Sequence, residues 1–206
     1  GHRAFALVVT RAGTPPFDPP PDVLATLDPT PPTNGITPEQ TGLLALRSHR
    51  GPLALEPSSA DRVAMLYDAA VLGADRGLGL ALERLREAGT LERTVVIVVG
   101  DRGTALGEGG LVGEGPYTLA PVSHTLLALR GPGLRPPRVE GGAAQGGSVE
   151  PVAGVLDAAA TLIERFGLPR SEPLSRAGAV SWATRPEGSA HPRGVVFSAG
   201  PRGELG

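Results

Sequence analysis

The residues best equipped for chemistry fall within one short stretch. Gly100-Asp101-Arg102-Gly103, Gly107-Glu108-Gly109-Gly110 and Gly113-Glu114-Gly115 set three carboxylates and a guanidinium on a chain punctuated by glycine. Hard divalent cations take carboxylate and carbonyl oxygens. A guanidinium has donors only and keeps its charge at neutral pH, so it cannot ligate a cation. Asp101 follows a run of β-branched residues, and open α/β sheets place their ligands at the C-terminal ends of strands. Taken alone, an aspartate there is more often a helix cap or a turn residue. The histidines, His2, His49, His124 and His191, are scattered without metal-ligand spacing. His124, at the start of a strand-like segment, reads as structural. The chain has no cysteine and no lysine, all 19 basic residues being arginine. Thiolate sites, disulfides, a cysteine nucleophile, Schiff-base chemistry and a P-loop lysine are therefore excluded. No Gly-x-Ser-x-Gly elbow or dinucleotide fingerprint occurs. The glycine-rich segment 141–147 lacks the strand-to-helix context of a phosphate cradle and reads as flexible loop.

Several elements must position this stretch. Residues 94–99 (Thr94-Val95-Val96-Ile97-Val98-Val99) are an unbroken β-branched run, expected as a central, fully buried strand. Residues 61–88 precede it as a helix, with Val63, Leu66, Tyr67, Ala70, Ala74, Leu78, Ala81, Leu82 and Leu85 at threes and fours. Helix then buried strand is the αβ half of a parallel unit. Gly73, Gly77 and Gly79 weaken the helix by up to ~1 kcal/mol each relative to alanine, a cost expected where a neighbour packs closely. Gly89 is placed to end it in a left-handed conformation. Residues 125–129 form a second, weaker strand closed by Arg130-Gly131-Pro132-Gly133. A further helix is expected to open at Ser148, with Glu150 and Pro151 in its first turn. Its apolar face is Val152, Val155, Leu156, Ala159, Leu162, Ile163 and Phe166, and Gly167 and Pro169 end it. Residues 4–9 (Ala4-Phe5-Ala6-Leu7-Val8-Val9) suit a strand covered on both faces. Residues 14–32, rich in proline, are expected as extended loop, and 49–59 as connection. Beyond Pro169 the pattern fades; Val195 to Ser198 suggest an edge strand and Trp182 a packing residue in the tail.

Composition narrows the classes. Two-fifths of the residues are apolar, as in a globular chain. A net charge of -2 gives no general pull toward nucleic acid or anionic membranes. No apolar run approaches the ~20 residues of a membrane span. The start Gly1-His2-Arg3 is expected to be that of an excised segment rather than of a signal peptide.

In chain order, Tyr67-Asp68-Ala69, the strand at 94–99, Gly100-Asp101-Arg102-Gly103, Gly107-Glu108-Gly109-Gly110, Gly113-Glu114-Gly115 and Arg130-Gly131-Pro132-Gly133-Leu134 resemble the sulfatase family of the alkaline phosphatase superfamily. Sulfatases show Tyr-x-Ala on a long helix, then a strand, Asp-His-Gly, Gly-Glu-His-Gly, Gly-Lys-Gly and a strand closing on Arg-Gly-Pro-Gly. Phe17-Asp18-Pro19-Pro20, Asp157 to Leu162 and Gly167-Leu168-Pro169 extend the likeness to about residues 5–169. The resemblance implies a three-layer α/β/α sandwich of which residues 1–169 are the C-terminal half. The N-terminal half would be absent from the chain and packed against it, and 170–206 would be an irregular tail.

Active sulfatases cleave sulfate esters with a divalent cation, usually calcium, and a nucleophile supplied by their N-terminal half. By that resemblance Asp101 occupies a metal-binding position. Arg102 stands where a metal-ligating His or Asn is expected, Glu114 where a lysine contacts sulfate, and Gly109 where Gly-Glu-His-Gly has its histidine. An active-site histidine is also usual near Thr14. These departures imply a sulfatase-like domain without turnover, with Asp101 as a vestigial metal position and no catalytic residue or cofactor of its own. Arg102 is then expected to replace the cation's charge, pairing with Asp101 or with acidic residues of the other half, or to point into solvent. Two alternatives stay open: part of an active sulfatase or phosphohydrolase completed by its other half, or an unrelated small α/β interaction module. Family members are often exported or membrane-anchored, which no residue here indicates.

Overall fold

The computed structural model describes residues 4–29, 35–116, 118–134 and 154–183. Along the chain lie helices α1 (Pro21–Leu27), α2 (Pro38–Ser48) and α3 (Pro57–Glu87), then strands β1 (Val96–Val99), β2 (Ala105–Leu106) and β3 (Val112–Gly113). Helix α4 (Ala120–Ser123), strand β4 (Leu127–Arg130) and helices α5 (Val155–Phe166) and α6 (Glu172–Arg176) follow. The chain is mixed α/β and divides into two compact units. One takes in Phe5–Glu87 and Arg102–His124; the other takes in Ala88–Asp101 and, among the described residues, 125–134 and 154–183.

The first unit is built on α3. Its 31 residues span roughly 45 Å, yet its buried residues, Val63, Leu66, Ala69 and Ala70, all lie in the N-terminal half. Phe17, Val63, Leu66, Ala70 and Val112 form the core. Phe17 meets Tyr67 edge to face, ring centroids 5.5 Å apart. Full burial of a side chain such as Phe17 contributes about 1.5–3 kcal/mol. Two buried hydroxyls are satisfied: that of Thr41 accepts the Phe17 N–H at 3.0 Å, and that of Ser48 donates to the Val112 carbonyl at 2.7 Å. Strands β2 and β3 pair antiparallel, Ala105 opposite Gly113.

Two helices arise where the proline-rich composition obscures them. Residues 14–32 are not all loop, because α1 begins at Pro21, where a missing N–H costs nothing, and has Asp22 in its first turn. Helix α2 opens on a capping box: Thr37 accepts the Gln40 N–H, and the Gln40 side chain accepts the Thr37 N–H at 2.9 Å. Asp28 at the end of α1 pairs with Arg62 of α3, which also donates to the Ile36 carbonyl at 3.1 Å. Of the three helix glycines, only Gly73 marks close packing. A Cβ there would lie 2.5 Å from the Pro20 ring, whereas Gly77 and Gly79 face open space.

The run 4–9 forms no strand. Phe5, Leu7, Val8 and Val9 are 62%, 75%, 88% and 79% exposed. A strand exists through its ladder, and among the described residues neither sheet includes this run.

In the second unit β1 pairs antiparallel with β4, Val96 opposite Arg130 and Val99 opposite Leu127. A parallel partner needs a crossover helix packed on the same sheet, and α3, the helix before β1, belongs to the other unit. Nor is β1 fully buried: three of its residues are half-buried and Val99 is 42% exposed, with α5 its covering helix. Helix α5 ends at Gly167 in the left-handed conformation expected (φ 68°), as α3 is followed by Gly89 (φ 64°). Its buried face differs from the apolar stripe, however. Asp157, Ala158, Ala160 and Thr161 are buried, while Val155 and Leu156 are 38% and 45% exposed. The cause is polar. The Asp157 carboxylate accepts the Gly154 N–H at 2.8 Å and the Val180 N–H at 2.7 Å, and the Thr161 hydroxyl accepts the Trp182 N–H at 3.0 Å. Residues 180–182 are thereby held on α5. Ser148, Glu150, Pro151 and Val152, the 141–147 segment and 195–198 lie outside the described residues.

Candidate functional site

Strand β1 delivers the chain to the glycine-punctuated stretch. The Gly100 N–H donates to the Leu126 carbonyl at 2.8 Å, extending the β1–β4 pairing by one bond. Asp101 follows as the last residue of its unit and is exposed. Arg102 begins the other unit's segment. There Gly103 is pinned by its N–H to the Val122 carbonyl at 2.8 Å, and a Cβ would stand 2.0 Å from the Pro121 carbonyl oxygen. Only glycine lets the chain pass so close.

The loop then turns over the helices beneath. The Glu108 carboxylate accepts the Leu106 N–H at 2.6 Å and closes the turn. Gly110 takes φ +76°, and its carbonyl accepts the Leu53 N–H at 2.7 Å. A side chain at 110 would meet the Leu53 carbonyl oxygen at 2.3 Å. Gly109 also has positive φ, but a Cβ there would meet nothing within 4 Å. The loop's glycines serve tight packing as well as turning.

Three separated residues converge. Arg102 Nη1 lies 2.9 Å from Glu114 Oε2, with the two side chains 53% and 18% exposed. The Thr14 hydroxyl donates to the other carboxylate oxygen, Glu114 Oε1, at 2.8 Å. Both oxygens of Glu114 are thus engaged by donors brought from 100 residues upstream and 12 upstream. Arg102 does not point only into solvent; an acid of its own unit, Glu114, pairs with it. Half exposed, the pair contributes about 0.2–1 kcal/mol. Its larger consequence is geometric, since it joins the loop at 102, the segment after β3 and the turn at 14.

Asp101 is placed as expected, just past β1. Among the described residues no three His, Cys, Asp or Glu side chains gather to hold a metal ion. His49 and His124 are exposed at the C-terminal ends of α2 and α4; His2 and His191 lie outside the described residues. Sequence reasoning did not find the contact between Thr14 and Glu114, because no spacing rule links positions 100 apart.

Comparison with protein-family models matches the model described as Sulfatase over residues 3–168. No curated protein and no solved structure matches the chain.

Proposed function

The chain belongs to the sulfatase family, and from that premise we propose that it is a pseudoenzyme, a sulfatase-like domain without sulfate-ester turnover and with a binding or structural role. One observation carries the reading: Thr14, Arg102 and Glu114 satisfy one another. By the family resemblance a metal ligand is expected at Arg102, a sulfate-contacting lysine at Glu114 and an active-site histidine near Thr14. Arg102 has no lone pair to give a cation. Glu114 presents a carboxylate where an anionic ester would need a positive charge, and like charges repel. The donor set supports no fit to a divalent cation: the residue after Asp101 carries a fixed positive charge, and each oxygen of Glu114 already has a donor within its own unit.

On this reading the finer architecture is a three-layer α/β/α sandwich. The apolar run at 4–9, which joins no ladder among the described residues, would then be covered by the remainder of such a domain. Four large apolar side chains left more than half exposed support it, since continuous apolar strands are those covered on both faces.

The test is hydrolysis of a chromogenic aryl sulfate by the full-length protein, with and without calcium, alongside a calcium titration by calorimetry. The expected outcome is no turnover above the buffer rate and no stoichiometric micromolar calcium binding. Calcium-dependent turnover would sink the proposal.

A further inference from the structure

Within the first unit a half-open cleft of about 470 Å³ lies beside α3. Its lining includes three small residues of that helix, Ala70, Gly73 and Ala74, together with Pro16 and Pro20. Two opposite charges, Arg11 and Asp18, complete it. Among the described residues neither charge pairs with another side chain. We propose that this cleft is a binding site for a small zwitterion with an apolar body, an amino-acid-like molecule whose carboxylate meets Arg11 and whose ammonium meets Asp18.

The chemistry of the lining leads there. The volume is in the range of small-molecule sites, which run from about 300 to 1,000 Å³. A ligand of a single charge would satisfy one of these two residues and meet a like charge at the other. A ligand carrying both satisfies each, while the alanines and prolines take its hydrocarbon.

The walls are also preorganised. The turn bearing Arg11 is closed by the Thr14 N–H to the Arg11 carbonyl at 2.9 Å, and Thr14 is held in turn by Glu114. On the other side, the Phe17 N–H bond to Thr41 fixes the chain just before Asp18. Pro20 rests where a Cβ on Gly73 would be, so that wall cannot move inward. The backbone of the lining is thus fixed, and what binding must order is the exposed Arg11 and Asp18 side chains. The inference is independent of whether the domain turns over sulfate esters.

The experiment is a ligand-observed and amide-shift NMR titration of the 206-residue chain with L-norleucine, hexanoate and pentylamine, the last two each lacking one charge of the first. Arg11 and Asp18 are exposed, so Arg11→Gln and Asp18→Asn leave the core intact. The expected result is saturable norleucine binding on the order of millimolar, with each single-charge analogue weaker by about tenfold. Arg11→Gln should weaken norleucine about as much and leave pentylamine no weaker, since a like charge is removed; Asp18→Asn should weaken norleucine and leave hexanoate no weaker. Three compounds binding alike, either variant leaving norleucine unaffected, or no saturable norleucine response at about 10 mM would overturn the proposal.

Discussion

Residues 5–9 and 14–20 are neighbours in the chain and meet opposite fates. The first segment is the more hydrophobic, yet Phe5, Leu7, Val8 and Val9 stand mostly in solvent. The second is proline or polar at every position but one, yet that one, Phe17, is completely buried. The difference lies in what each backbone is offered. At 14–20 the Thr14 hydroxyl finds Glu114, the Phe17 N–H finds Thr41 and Pro20 finds the gap left by Gly73. The run at 5–9 joins no ladder among the described residues. Apolar surface gains from burial only where the polar backbone beneath it is also satisfied.

Paired substitutions press on this contrast. Phe17→Ala should cost about 3–5 kcal/mol in denaturant unfolding, while Val8→Ala should stay within about 0.5 kcal/mol. Equal losses would erase the distinction between the two segments. Gly73→Ala comes next, at about 1–3 kcal/mol, because the new methyl meets the Pro20 ring. Gly79→Ala, on the same helix with open space around it, should instead stabilise by about 0.5–1 kcal/mol. Thermal unfolding of the two variants side by side reads the sign directly.

Smaller effects sharpen the picture at the converged loop. A double-mutant cycle on Arg102 and Glu114 should return a coupling of about 0.5 kcal/mol that fades with added salt, since Arg102 is half exposed. A coupling insensitive to salt would mean that the pair is less solvated than its exposure implies. The smallest effect belongs to Glu39. The Thr37 hydroxyl beside it, followed by its own backbone N–H, holds this carboxyl below the usual glutamate range. A depressed folded-state value adds stability above the unfolded value, and that stability disappears as pH falls through the folded one. Thr37→Val should therefore flatten the acid limb of a melting-temperature profile slightly; an unchanged limb would remove Glu39 from the account.

Much of the frame was legible before any coordinates. Local periodicity marked α3, β1, β4 and the body of α5, and glycine's access to positive φ marked the ends at Gly89 and Gly167. The order of short motifs marked the family, which the match over residues 3–168 bears out. Helix α2 was also within reach, since Thr37-Pro38-Glu39-Gln40 is a capping-box signature passed over amid prolines. The antiparallel partner of β1 and the polar face by which α5 holds residues 180–182 were not legible, because they depend on which segments meet.

The amino-acid sequence by itself determined where helices and strands could form and which chemical groups the 100–115 stretch would carry, because backbone sterics and side-chain period act over a few residues. Only the tertiary structure decided that Thr14, Arg102 and Glu114 would answer one another, and that Arg11 and Asp18 would line one cleft. Contacts between distant positions arise from packing, and a one-dimensional pattern does not contain the distance between residues a hundred places apart.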